Sequence, residues 1–109
     1  MNTLIETDYQ HALNVKALLK EKFGDLIYKI YCYGSRVTEQ RQDTDFDLII
    51  VTLEKIDWRK EDEISDVLYY YGLKHDILFD DRCFSKDEFE NKYKYMPFIV
   101  EVKSYGIAI

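Results

Sequence analysis

Residues 29–53 read KIYCYGSRVTEQRQDTDFDLIIVTL, and this order of apolar run, Gly-Ser turn, acidic loop and second apolar run frames the rest of the chain. The β-branched and aromatic stretch 26–33 predicts a strand that stops at Gly34, where a residue without a Cβ permits a tight turn and close backbone approach. Ser35 then opens a segment whose amides can face an anion, the outline of a phosphate cradle. FDLIIVTL, residues 46–53, predicts a second strand. It is apolar on both faces after Asp47, which suits the middle of a sheet.

Outward from this pair, residues 7–23 carry apolar side chains at three- and four-residue steps, with Thr7 or Asp8 as N-cap and Gly24 as stop, and predict an amphipathic helix. Residues 57–71 repeat the pattern, with Trp58, Ile64, Val67, Leu68 and Tyr71 on one side and Gly72 following as a stop. KHDILF, residues 74–79, predicts a third short strand. Ser85 with Glu88 three residues on is a capping-box pattern, so 85–95 is expected to be helical. Pro97 can open a last helix that ends at Gly106, and IAI is left as an edge strand. Helices alternating with strands predict an α/β or α+β sandwich around one small sheet. At 109 residues there is room for one domain, 1–109.

The net charge of -6 argues against direct nucleic-acid binding, which needs a basic face. A polyphosphate could be held only locally, with cations offsetting the acidic surroundings. Cys32 and Cys83 have no metal-ligand spacing and read as reduced thiols. No leader-like start and no long apolar run is visible, so a cytoplasmic protein without membrane contact is expected.

Asp45 and Asp47, at i and i+2 in an extended chain, point the same way about 6.5–7 Å apart. Two carboxylates aimed at one spot repel unless a cation lies between them. Oxygen-only ligands of this kind suit Mg²⁺ or Mn²⁺, which take remaining ligands from water and substrate phosphates. Asp76, inside the expected third strand, is costly to bury unless it is paired or coordinates a metal, and it is the candidate third carboxylate. Asp43 reads as a turn former, and Asp80 and Asp81 as strand-end and loop residues. His75 reads as a packing residue, and Tyr69 to Tyr71 as a helix face shared between core and a partner interface.

The run YGSRVTEQRQDTDFDLIIV resembles the signature of the nucleotidyltransferase superfamily that includes DNA polymerase beta, in particular its minimal nucleotidyltransferase branch. That pattern is Gly-Ser, a spacer, Asp-x-Asp, and a later acid on a strand, and the likeness covers residues 29–79. It implies a polymerase beta-like α/β (α+β) fold, a small mixed central sheet flanked by helices. It also implies metal-dependent transfer of NMP, most plausibly AMP from ATP, to a hydroxyl. Gly34, Ser35 and Arg36 would bind the nucleotide, with Arg41 a further phosphate contact. Asp45, Asp47 and Asp76 would be catalytic and would hold two Mg²⁺ or Mn²⁺ ions. Since no acceptor-binding domain fits, the acceptor would belong to another protein. Members of this branch are often the antitoxin of a toxin–antitoxin pair with a helical HEPN ribonuclease, which they neutralise by binding and by adding AMP. The chain departs from the pattern in a spacer one residue shorter and in Thr38 and Glu39 where Arg-Gly is frequent. The alternative is a non-catalytic module that neutralises its partner by contact alone.

Overall fold

A computed structural model describes residues 2–109. Along the chain come α1 (Glu6–Phe23), a 3₁₀ turn (Gly24–Leu26), β1 (Ile27–Tyr33), a single helical turn α2 (Ser35–Thr38) and β2 (Phe46–Thr52). They are followed by α3 (Trp58–His75), β3 (Phe79–Ser85), a π-helical turn (Glu88–Lys92), α4 (Pro97–Tyr105) and β4 (Ile107–Ala108). The four strands form a mixed sheet in the order β3-β2-β1-β4. β1 is antiparallel to both β2 and β4, while β3 runs parallel to β2. The α+β class and a small mixed sheet flanked by helices are thus what the chain forms. Among the described residues, no helix is long and apolar enough to cross a membrane.

Strand β2 is buried on both sides, as its two-faced apolar pattern requires. Phe46, Leu48 and Ile50 pack with Ala12, Val15 and Leu19 of α1 and Ile64 and Leu68 of α3. Ile49 and Val51 face Phe89, Ile99 and Val102 on the opposite side. The sheet is therefore covered by α1 and α3 on one face and by the π turn and α4 on the other. Both cysteines are free, and burial pushes both thiols up to about 12, which leaves them unreactive as nucleophiles near neutral pH.

Three expectations need correcting. Helix α1 begins at Glu6 with Ile5 at its N-cap, so Thr7 and Asp8 lie inside it and neither caps it. Residues 74–78 are not in a strand: α3 runs on through Lys74 and His75, and Asp76 closes it in the left-handed conformation at φ 56°. Gly72 is not a stop but a point of close approach. The chain folds back over it, Ile77 N–H donates to Gly72 O at 2.9 Å, and a Cβ at 72 would collide with Ile77 O. The third strand accordingly begins only at Phe79. The expected helix 85–95 shrinks to the π turn Glu88–Lys92, although its capping box forms: Ser85 N–H donates to Glu88 Oε1 at 2.9 Å and Glu88 N–H to Ser85 Oγ at 3.1 Å.

Candidate functional site

The strand register puts three polar side chains in one row. Tyr33 at the end of β1 lies opposite Asp47 on β2, and Asp47 lies opposite Asp80 on β3. Because Asp47 shares its face with Ile49 and Val51, the row is at the open end of the α4 side of the sheet. Asp45 sits just before β2, exposed and close enough to act electrostatically on Asp47.

Gly34 is what lets the chain turn beside this row. It adopts φ 81°, a region that favours glycine, and a Cβ there would collide with Asp47 Oδ2. Gly34 O accepts from Val37 N–H and Thr38 N–H, both at 3.0 Å, which winds α2 directly onto the strand end. The Ser35 hydroxyl is 2.7 Å from the Thr44 hydroxyl and ties α2 to the loop leading to Asp45.

Burial raises the Asp47 carboxyl from the ordinary 3.8 to about 6, with the neighbouring charges of Asp80 and Asp45 adding to it; Arg82 and Arg36 oppose the rise. Tyr33 is pushed up to about 12, first by burial and then by Asp47. An acid whose pKa is higher folded than unfolded gives a stabilising contribution that is complete only at low pH. That contribution is lost as pH rises from about 4 through about 6. Two units correspond to about 2.7 kcal/mol, which solvent access to this partly exposed carboxyl reduces to about 1 kcal/mol. Without divalent metal, Asp47→Asn should therefore melt about 4–8 °C above the parent near pH 7.5. The gap should close towards pH 4, about the ordinary carboxylate value. A gap independent of pH in thermal melts would show that the Asp47 charge is not under strain.

The other expected site residues are placed differently. Arg36 is turned inward, with about 6% of its surface exposed. Its Nε and Nη2 donate to Thr44 O at 3.0 and 2.8 Å, and Nη2 also to Gln42 O at 3.3 Å. Its Nη1 is paired at 3.0 Å with Asp8, which is itself buried. The guanidinium also stacks over Phe46. Arg36 thus holds the 42–44 loop against α1 instead of reaching outward. Arg41 forms an exposed bidentate pair with Asp43 at 3.0–3.1 Å. Asp76, at the exposed α3 cap, lines a cleft of about 570 Å³ together with Asp45, and Asp47 is not among the residues lining it. The three expected carboxylates are therefore divided: Asp45 borders both places, Asp47 lies in the sheet row, and Asp76 stands across the cleft. A second cavity, about 380 Å³, lies between Gly34–Ser35 and α4, walled by Tyr33, Phe98, Val102 and Tyr105.

Sequence reasoning missed Asp80 and Asp8. Asp80 alternates with Phe79 and Asp81 in β3, and Asp81 takes the other face, where it accepts from the Ser65 hydroxyl at 2.7 Å. The signal for Asp8 was its place on the buried stripe of α1 with Ala12, Val15 and Leu19.

Among the described residues, no group of three or more histidine, cysteine, aspartate or glutamate side chains is arranged to hold a metal ion. The chemistry of the Asp47–Asp80 pair nevertheless fits a hard divalent cation. Its donors are all carboxylate oxygens, and a cation would offset both the burial that raises Asp47 and the repulsion from Asp80 that adds to it. Comparison with protein families, characterised proteins and solved structures finds no match.

Proposed function

We propose that the chain is a metal-dependent nucleotidyltransferase of the polymerase beta-like fold that moves AMP from ATP to a hydroxyl of a partner protein. The observation that carries this reading is the row Tyr33–Asp47–Asp80 beside Gly34, a carboxylate pair in adjacent strands at a turn that admits no Cβ. Asp47 and Asp80, with Asp45 at the strand entrance, would hold Mg²⁺ or Mn²⁺, the remaining ligands coming from water and phosphate oxygens. Paired divalent ions supply charge stabilisation to the attacking and leaving oxygens in such transfers. Asp80 here takes the place first expected of Asp76.

In the transfer, the partner's hydroxyl oxygen bonds to the α-phosphorus of ATP, the bond from that phosphorus to the β-phosphate bridging oxygen breaks, and pyrophosphate leaves. The hydroxyl proton must be accepted. A carboxylate of this row would take it while ionised. Gly34 and Ser35 border the cavity beside α4, which gives the nucleotide a place next to the carboxylates. A hydroxyl-bearing HEPN-type ribonuclease, neutralised in the cytoplasm by modification of a tyrosine, is the partner this reading favours.

The second reading is neutralisation by contact alone. It is favoured by Arg36, the basic residue nearest the turn, which is engaged internally and leaves the Gly34 turn without that cation for phosphate. The deciding assay incubates the protein with α-phosphate-labelled ATP, Mg²⁺ and a purified HEPN-type protein. Label on the partner, abolished by EDTA, is the expected result; neutralisation without any label would establish the contact reading.

A further inference from the structure

The cleft of about 570 Å³ between α3 and the 42–45 loop plays no part in the proposed transfer beyond Asp45 at its rim. One wall is apolar. Tyr69 and Leu73, one turn apart on α3, and Leu78 just before β3 are 57%, 64% and 64% exposed, far more than side chains of this size usually leave in water side by side. The remaining lining is acidic, with Asp45, Asp76 and Asp81 contributing to it. Among the described residues lining the cleft, Arg36 alone is basic, and its donors are engaged by Asp8 and by the Thr44 and Gln42 carbonyls.

We infer that this cleft docks a cationic amphipathic segment of a partner protein, its apolar side chains against Tyr69, Leu73 and Leu78 and its Lys or Arg side chains towards Asp45 and Asp76. Two features select this occupant. The apolar wall favours leucine-sized side chains, and the uncompensated carboxylates oppose an acidic or neutral apolar segment while attracting a basic one. A second copy of this chain is disfavoured by the same charge, since the chain carries -6 overall. The inference adds the chemistry of the partner to the proposed function and rests on that reading only for which hydroxyl would be modified. Docking itself needs neither ATP nor metal.

The test measures fluorescence anisotropy in EDTA without nucleotide. The probe is a short labelled amphipathic peptide with leucines along one face and lysines along the other. Its counterpart with every lysine replaced by glutamate is the control. The lysine peptide should bind, with affinity falling as salt is raised. Leu73→Ser combined with Leu78→Ser should weaken binding at least about tenfold, the equivalent of losing part of two leucine burials. Asp76→Asn should weaken it about two- to fivefold, and Glu21→Gln, on the exposed surface of α1, should leave it unchanged. The two leucines are exposed, so melts of the double variant should match the parent. Equal binding of the glutamate peptide, no effect of the leucine changes, or an equal effect of Glu21→Gln would overturn the inference. So would a dimer in light scattering that the leucine changes abolish, which would assign the wall to a second copy. Failure of the parent protein to bind the lysine peptide, with ATP labelling of the HEPN partner intact, would refute this inference and leave the transferase reading standing.

Discussion

Asp80→Asn is expected to lower AMP transfer about 10²- to 10³-fold, the scale on which removing one preorganised charge-stabilising group acts. With the partner saturating, Asp76→Asn is expected to leave it within about twofold, a contrast that rests on geometry alone. Asp80 is the residue directly opposite Asp47 in the parallel pair β2–β3, and it raises the Asp47 pKa through its charge. Asp76 caps α3 and faces solvent at the cleft rim. Both are exposed, and neither contributes to the core, so thermal melts of the two variants should match the parent within about 0.5 kcal/mol. That removes misfolding as a reason for lost activity. Asp80→Asn should also need more Mg²⁺ for half-maximal rate, because the neutral amide is a weaker ligand than the carboxylate. The reverse order, with Asp76→Asn inactive and Asp80→Asn active, would mean that the reacting centre lies in the cleft and not in the sheet row.

Elements set by local pattern were legible in the sequence. The α1 stripe, the two apolar runs of β1 and β2 and the turn at Gly34 all depend on neighbours a few residues away. β3 was not legible, for two physical reasons. Asp76 can adopt the left-handed cap conformation that Gly72 was expected to supply, so the helix outlasts its apparent stop. As an edge strand, β3 also tolerates Asp80, Asp81 and Arg82 where a central strand would demand apolar side chains. Its register against β2 is set by the α3 crossover and by packing on both faces, a non-local outcome, and the partner of Asp47 followed the register. The inward turn of Arg36 was hidden for the same reason, since its counter-ion Asp8 lies 28 residues earlier.

Arg36→Met should destabilise the protein by about 3–5 kcal/mol, the cost of leaving a buried charge uncompensated. Against a total stability of about 5–15 kcal/mol, this is a drop of roughly 15 °C or more in melting temperature. The reason lies in Asp8, whose side chain is about 2% exposed and whose Oδ2 finds no hydrogen-bond partner at all. Oδ1 accepts from Arg36 Nη1 at 3.0 Å and, at the limit of reach, from Gln42 Nε2 at 3.5 Å. Once Arg36 is gone, Asp8 keeps only the weaker contact. Adding Asp8→Leu should then restore most of the lost stability, because replacing both members of a buried pair by apolar groups is often neutral. The transfer activity should not return with it. The double variant still lacks the three hydrogen bonds from Arg36 to the Thr44 and Gln42 carbonyls, which pin the loop that delivers Asp45 to the strand entrance. A double variant as stable as the parent but at least about tenfold less active would therefore separate the two jobs of Arg36, neutralising Asp8 and positioning the loop. Melting of Arg36→Met within about 2 °C of the parent, corresponding to less than 1 kcal/mol, would instead show that the pair is not a structural clamp.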